Sequence, residues 1–326
     1  MSVSATRIAI VIPCYRASAH ILGVLAGIGP EVARIFVVDD GCPEQTGRVV
    51  TAGCTDARVQ VITHPENCGV GAAMVTGYQA ALAQGADIVV KLDGDGQMDP
   101  RELARFVAPL IAGTADYAKG NRFFDLALLE RMPRPRLFGN ALLSLVNKMS
   151  SGYWNVMDPT NGYTAIHRAA LARLPLSRLS RDYFFESDML FRLYTIRAVV
   201  RDVPMRACYG DEKSNLSVGH VVLAFPGKYL AATLKRLFYA YFLRDFNAGT
   251  LQLVLGLALM SGGALFGIGK WFHSTLTGVA TSSGAVMLAA LPVLIGVQLV
   301  LGWLNFDIQN IPTRPLCARE PDPVVL

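Results

Sequence analysis

The sequence predicts an α/β domain with a mostly parallel sheet and helices on both faces, followed by a helical membrane hairpin. Short β-branched runs alternate with longer helix-compatible stretches through the first half of the chain. Polar turns rich in Asp, Asn and Gly follow four of those runs, at the carboxyl ends of strands where ligands of parallel sheets bind. Two stretches near the C-terminus, 246–269 and 274–306, contain no Asp, Glu, Lys or Arg.

The elements follow in order. Ile8 to Ile12 reads as a strand, His20 to Ile28 as a helix, Ile35 to Val38 as a strand and Thr46 to Ala52 as a helix. Val59 to Thr63 is a third strand, Gly71 to Ala83 a long helix and Asp87 to Leu92 a fourth strand. Beyond the strands stand Pro13-Cys14-Tyr15, Asp39-Asp40-Gly41, Asn67-Cys68-Gly69-Val70-Gly71 and Asp93-Gly94-Asp95. The β-α-β order brings these four turns to one rim.

The last turn carries the chemistry. Alternate residues of an extended chain point the same way, so Asp93 and Asp95 can share one cation, and Gly94 and Gly96 let a diphosphate approach the backbone. Carboxylate oxygens in that arrangement suit Mg²⁺ or Mn²⁺ bound together with substrate phosphates. A solvated acidic turn is the plainer reading. An EF-hand loop is excluded, because Met98 and Ala104 stand where Gly and Glu are required. A phosphatase with an Asp nucleophile is disfavoured by the three strands that precede Asp93. Asp39 and Asp40 fit helix capping and hydrogen bonding to a base or ribose equally well. Gly69-Val70-Gly71 is neither a Rossmann fingerprint nor a P-loop.

Arg122, Arg131, Arg134 and Arg136 are interrupted by Pro133 and Pro135, a spacing that predicts an extended loop. Such a loop reads equally as a solvated surface or, beside the rim, as a candidate phosphate clamp built from guanidinium forks. Glu186 and Asp188 open a helix reaching Tyr194, and acidic groups there also complement a helix dipole.

At 326 residues, with 52% hydrophobic and 17% charged residues, the chain is too apolar for an ordinary soluble enzyme. Each uncharged run exceeds the roughly 20 residues that cross a hydrocarbon core, and Pro292 is expected to kink the second. A buried hairpin of a soluble protein is the alternative. The N-terminus leads into the first strand without signal-peptide features, so the first domain is expected in the cytosol. Six cysteines without a C-x-x-C pair fit a reducing compartment. The net charge of +5 points to anionic partners, and no nucleic-acid partner is expected. Lys228, Lys235, Arg236 and Arg244 precede the first run and Arg314 and Arg319 follow the second, which puts both ends inside and Lys270 to His273 as an external link. His220 to Phe246 mixes those cations with aromatic residues and reads as an interfacial segment whose cations meet lipid phosphates. The Pro-rich tail from Ile311 reads as disordered.

Taken in order, Ile12-Pro-Cys-Tyr15, Val38-Asp-Asp-Gly41, Asn67-Cys-Gly-Val-Gly71 with Gly77, Asp93-Gly-Asp-Gly-Gln-Met-Asp-Pro100, Asn161-Gly-Tyr163 and Phe185-Glu-Ser-Asp188 make a signature. The chain resembles the family 2 glycosyltransferases, and within them the polyprenyl-phosphate glycosyltransferases related to dolichol-phosphate mannose synthase. The resemblance implies a GT-A-like catalytic domain over 1–219, juxtamembrane helices over 220–245, two transmembrane helices over 246–306 and a cytoplasmic tail over 307–326. It implies Pro13, Tyr15, Asp39, Asp40, Asn67, Gly71 and Lys213 on the nucleotide and phosphate side, and Asp93, Asp95 and Gln97 around Mg²⁺ or Mn²⁺. Arg122 and Arg136 match phosphate-holding arginines, and Glu186 and Asp188 match acceptor-side acids. Where many relatives carry an arginine ahead of the Tyr209 to Ser214 loop, this chain has Ala207-Cys208, with Arg206 adjacent and Lys213 downstream.

The implied reaction is metal-dependent inverting transfer of a sugar from a nucleotide diphosphate sugar to undecaprenyl or dolichyl phosphate. It takes place in a bacterial inner membrane with the catalytic domain cytoplasmic. A homo-oligomer is left open. A processive polysaccharide synthase is disfavoured by the lack of a Q-x-x-R-W-like motif and of further spans. A catalytically inactive, membrane-tethered nucleotide-binding protein is the competitor from another class.

Overall fold

The computed structural model describes residues 6–124, 134–205 and 218–318, excepting the side chains of 134–137 and 218–224. Two compact units emerge: one runs to Thr233 and takes in the segment from Pro312 onward, and the other is Leu234–Ile311.

The first unit is built on a seven-stranded sheet of order β3-β2-β1-β4-β6-β5-β7. The strands are β1 Ile8–Cys14, β2 Val32–Asp39, β3 Val59–Thr63, β4 Ile88–Lys91, β5 Tyr117–Asn121, β6 Thr164–His167 and β7 Val200–Pro204. β1 pairs in parallel with β2 and β4, β2 with β3 and β5 with β7. β6 is antiparallel to both its neighbours. The predicted parallel half is therefore present, and the chain reverses once beyond β4. Ile8 to Ile12 and Ile88 to Val90 are at most 5% exposed, as expected for strands covered on both faces.

Helices α1 Ile21–Ala26, α2 Thr46–Gly53, α3 Val70–Ala83 and α4 Leu103–Ile111 separate the first five strands. α5 Arg134–Ser151 corrects the expected loop. Pro135 sits in its first turn, where a missing N–H removes no intrahelical bond, so the proline is compatible with a helix start. α6 Arg168–Leu171 and α7 Phe185–Thr195 follow, and α8 Val218–Phe238 is the last long helix before the second unit.

The expectation of a disordered tail is corrected for the residues up to Ala318. The backbone N–H groups of Leu316 and Cys317 donate to Asp116 Oδ2 and Oδ1, each at 2.9 Å, and Val199 N–H donates to Oδ2 at 2.8 Å. Asp116 is fully buried and Leu316 nearly so. The clasp lies just before β5 and β7, at the end of the sheet opposite the rim.

In the second unit α8 ends in a π-helical turn, Tyr239–Arg244, before α9 Ala248–Thr277 and α10 Ser283–Gln309. Asn247 caps α9 reciprocally with Thr250. At about 1.5 Å per residue, helices of 30 and 27 residues exceed a bilayer core. Only 17% and 6% of their most apolar windows are buried, unlike core helices of a soluble protein. α10 is helical through Pro292. The expected link at Lys270 to His273 is corrected: α9 continues to Thr277 and the link is Gly278 to Ser282.

Arg236 also departs from expectation. Its guanidinium is fully buried and paired with Asp307, Nη1 to Oδ1 at 2.7 Å and Nη2 to Oδ2 at 3.1 Å, while the Tyr241 hydroxyl donates to Oδ1 at 2.7 Å. It braces the helix pair and does not face lipid phosphate. Lys228 pairs with Asp182 and lies over the rings of Phe184 and Phe225. Leu230, Leu234 and Phe238 of α8 are exposed at helical spacing, as in a helix that meets an apolar surface.

Candidate active site

The rim is assembled from the carboxyl ends of β1, β2, β4 and β5, together with the first turn of α7. β4 supplies the acidic turn. The Asp93 side chain is 29% exposed, and its Oδ1 accepts from Lys91 Nζ at 2.6 Å. Asp95 Oδ1 accepts the N–H of Gln97 at 3.0 Å, which folds the loop so that Asp93, Asp95 and Gln97 lie within one tight turn.

Gly162 packs against this turn. A Cβ there would overlap Asp93 Oδ2, lie 2.5 Å from Lys91 Nζ and 3.0 Å from Met98 Cε. A side chain at 162 would force the ends of the Asp93 and Lys91 side chains to move.

Lys91 is 2% exposed and bridges Asp93 to Glu186, with Nζ 3.3 Å from Glu186 Oε1. Burial alone pushes its pKa down, but the charges of Asp93 and Glu186 outweigh burial and hold it above the ordinary lysine value. Lys91 begins a row of polar residues crossing the sheet below the rim. It is paired with Thr164, Thr164 with Lys119 and Lys119 with Asp202. Laterally paired residues share a face of the sheet. Lys119 is fully buried and donates to Asn161 O at 2.7 Å; burial lowers its pKa to about 8. Burial raises Asp202 to about 6, and its Oδ1 has no hydrogen-bond partner among the described residues.

Arg122 follows β5 and is fixed by a bidentate contact with Asp158, Nε to Oδ2 at 2.7 Å and Nη2 to Oδ1 at 2.9 Å. Asp158 is fully buried while the arginine side chain keeps 25% of its surface, so the guanidinium is fixed through its Nε–Nη2 edge and the rest of it stays partly open.

The remaining predicted residues divide. Pro13 is half-buried at the end of β1, and Tyr15 beyond it is exposed. Asp39 accepts from Cys42 N–H at 2.8 Å and Gly47 N–H at 2.6 Å, holding the entry to α2. Asp40 accepts from His64 Nδ1, Cys68 N–H and Gly69 N–H at 2.7 to 2.9 Å, and so pins the Asn67 to Gly71 loop. Gly71 donates to Arg181 O at 2.8 Å, and a Cβ on it would overlap Ser180 O. Asn67 Oδ1 accepts the N–H of Gly69 at 3.1 Å. Asp188 accepts from Ser180 N–H and Arg192 Nε, both at 2.8 Å, whereas Glu186 meets the Asp93 turn through Lys91. The side chain of Arg136 and all of Lys213 lie outside the described residues.

Ligand-type atoms of Asp40, His64 and Cys68 come within 4.8 Å of one another. His64 is engaged on both nitrogens, by Asp40 Oδ1 at 2.8 Å and Thr76 Oγ1 at 2.9 Å, so the group is a hydrogen-bonded brace.

The sequence reading gave no site role to Lys91, Lys119 or Asp158, and held Gly162 only within the Asn161-Gly-Tyr163 signature. Lys91 was legible: a lone cation in an apolar strand, two residues before Asp93 and on the same face.

The site is thus a mixed sheet with an acidic turn at the end of a central strand and an arginine held by a buried aspartate at the end of β5. Residues 9–174 match the model of glycosyl transferase family 2, and the chain belongs to that family. It is a glycosyltransferase of GT-A fold. The UDP-N-acetylglucosamine–dolichyl-phosphate N-acetylglucosaminyltransferase of Methanococcus voltae is 28% identical over 240 residues, 69% of this chain and 95% of that protein. The polyprenol monophosphomannose synthase of Mycolicibacterium smegmatis is 31% identical over 205 residues, 61% of this chain and 76% of that protein. Among solved structures, glucosyl-3-phosphoglycerate synthase from Mycobacterium tuberculosis with UDP superposes with a TM-score of 0.53 at 21% identity, covering 71% of this chain and 80% of that one. A complex of the same enzyme with Mn²⁺, UDP and glucosyl-3-phosphoglycerate gives 0.51 at 20% identity over 71% and 80% of the two chains.

Proposed function

We propose that this chain transfers a sugar, with inversion, from a nucleotide diphosphate sugar to a polyprenyl phosphate at the cytosolic membrane face, using Mg²⁺ or Mn²⁺. The observation that carries the reading is the combination, in one family 2 chain, of the acidic rim with two exposed helices long enough to span a bilayer. Both relatives named above are called after polyprenyl-type acceptors, which agrees with a membrane-bound substrate.

The donor set fits a hard divalent ion: Asp93 and Asp95 contribute carboxylates within one turn, and the carboxamide of Gln97 adds an oxygen. When bound, such an ion neutralises the charge on the departing diphosphate. The protein's own groups do the rest. Arg122, held by Asp158 through Nε and Nη2, offers a phosphate the remaining side of its guanidinium in a fixed plane. Asn67, Gly71, Pro13 and Tyr15 form the nucleotide side, and Asp39 and Asp40 shape its loops. Arg136 and Lys213 add phosphate-holding cations.

A phosphate monoester has a second pKa of about 6 and arrives largely anionic, so no strong base is needed. One of its oxygens forms a bond to the anomeric carbon while the bond to the nucleotide diphosphate breaks, which inverts that carbon. Glu186 holds Lys91 and Asp188 holds Ser180 and Arg192, so both serve as positioning groups.

Membrane orientation follows the lysines and arginines flanking the hairpin. It is supported by the tail, which returns to Asp116 of the catalytic unit after the second long helix. The domain limits proposed are 1–219 for catalysis, 220–245 for the interfacial helix, 246–306 for the spans and 307–326 for a cytoplasmic tail, of which Leu316 and Cys317 bond to the catalytic unit.

The test is transfer of radiolabel from a panel of nucleotide sugars into organic-extractable lipid, using membranes containing this chain, undecaprenyl phosphate and Mg²⁺ or Mn²⁺. Label in the lipid fraction from one donor is the expected result. Label only in polymer, or nucleotide binding without turnover, overturns the proposal.

A further inference from the structure

We propose that Lys91 positions the metal-facing carboxylate of Asp93 and acts as an internal cation that keeps divalent-ion binding weak until a nucleotide diphosphate is present. The inference rests on the metal reading of Asp93, Asp95 and Gln97.

The geometry is specific. The ammonium lies 2.6 Å from Asp93 Oδ1 and therefore occupies that oxygen, which leaves Oδ2 for a metal. Lys91 has little room to withdraw: its side chain is 2% exposed at the end of a fully buried strand, and Gly162 packs against both Nζ and Oδ2. Buried charge is poorly screened, so the ammonium acts on any ion bound beside it with more force than a surface lysine.

The charge balance gives the contact its function. The buried Lys91 ammonium stands between the carboxylates of Asp93 and Glu186, with Asp95 two residues beyond Asp93 and the second buried lysine, Lys119, further along the same face. Without Lys91 the carboxylates of Asp93, Asp95 and Glu186 would attract a divalent ion with no cation in direct contact with Asp93. With Lys91 the ion meets a repelling neighbour, which the negative charge of a diphosphate offsets. Glu186 sets the balance from the other side, because it draws the same ammonium at 3.3 Å. Its removal leaves Lys91 wholly to Asp93.

Opposite shifts therefore follow from changing the two partners of one contact. Mn²⁺ binding to the full chain in nanodiscs, followed by loss of the free-ion paramagnetic resonance signal, is measured with and without UDP or GDP. Lys91→Met is expected to bind Mn²⁺ alone at least about tenfold tighter than the parent chain and to lose most of its nucleotide dependence. Glu186→Gln is expected to bind Mn²⁺ alone several-fold more weakly and to keep the nucleotide dependence.

Unchanged or weakened binding by folded Lys91→Met overturns the inference. If that variant does not fold, Glu186→Gln decides: weaker binding supports the inference, and equal or tighter binding overturns it. A parent chain that binds no Mn²⁺ with either nucleotide overturns the metal reading itself, and this inference with it.

Discussion

Arg122 and Asp158 form a two-point contact, with Nε to Oδ2 at 2.7 Å and Nη2 to Oδ1 at 2.9 Å, in which the acid is fully buried and the base partly open. Asp158 fixes the plane of the guanidinium before any substrate arrives. Asp158→Asn keeps the volume but loses the charge-assisted fork, and Arg122→Lys keeps the charge but loses the planar geometry. Both are expected to lower kcat/KM by about a hundredfold, or about 2.7 kcal/mol. Steady-state transfer kinetics at varied donor and acceptor check this.

Much of this site was legible in the sequence. β1 to β4 announce themselves as apolar β-branched runs, and the Asp93-Gly-Asp95 turn stands where such a sheet binds ligands. β5 is hidden because Tyr117-Ala-Lys-Gly-Asn121 is fully buried yet carries a lysine and an asparagine, whose hydrogen bonds are supplied by distant residues. Asp158 looks like a turn residue because its partner is 36 positions away. α5 is hidden by Pro135, which suits a helix only in its first turn. The tail looks disordered because its anchor is Asp116, about 200 residues earlier.

Gly162→Ala tests how tightly the acidic turn is packed. The added methyl collides with Asp93 Oδ2 and crowds Lys91 Nζ, so the turn must shift. The expected outcome is a chain that folds with a small loss of stability, about 1–3 kcal/mol, and has lost most Mn²⁺ binding. Thermal unfolding and Mn²⁺ titration separate the two effects.

The Asp116 clasp predicts a stability effect far from the rim. Asp116→Ala removes the acceptor for the N–H groups of Val199, Leu316 and Cys317 and should destabilise the chain by about 2 kcal/mol. Hydrogen exchange at Leu316 and Cys317 should accelerate strongly, while exchange in α9 and α10 stays slow.

Asp202 sets a pH dependence. Burial raises its folded-state pKa to about 6, above the unfolded value near 4, so the folded state holds a proton that the unfolded state has released. That stabilisation is complete below the unfolded pKa and is lost as pH rises through 6. Between pH 5 and 7.5 the parent chain should therefore lose about 1 kcal/mol relative to Asp202→Asn, which has no such proton. Thermal unfolding of both chains at the two pH values measures the difference.

The most direct test of the central claim is lipid-phase transfer by metal-stripped membranes containing the parent chain or Asp95→Ala, before and after Mn²⁺ is restored. The account predicts that the parent chain regains transfer to polyprenyl phosphate on addition of Mn²⁺. Asp95→Ala, equally folded and equally abundant, stays at least about a thousandfold lower, because the ion that takes the leaving-group charge has lost a ligand. Undiminished transfer by Asp95→Ala, or full transfer by the stripped parent chain, would contradict it.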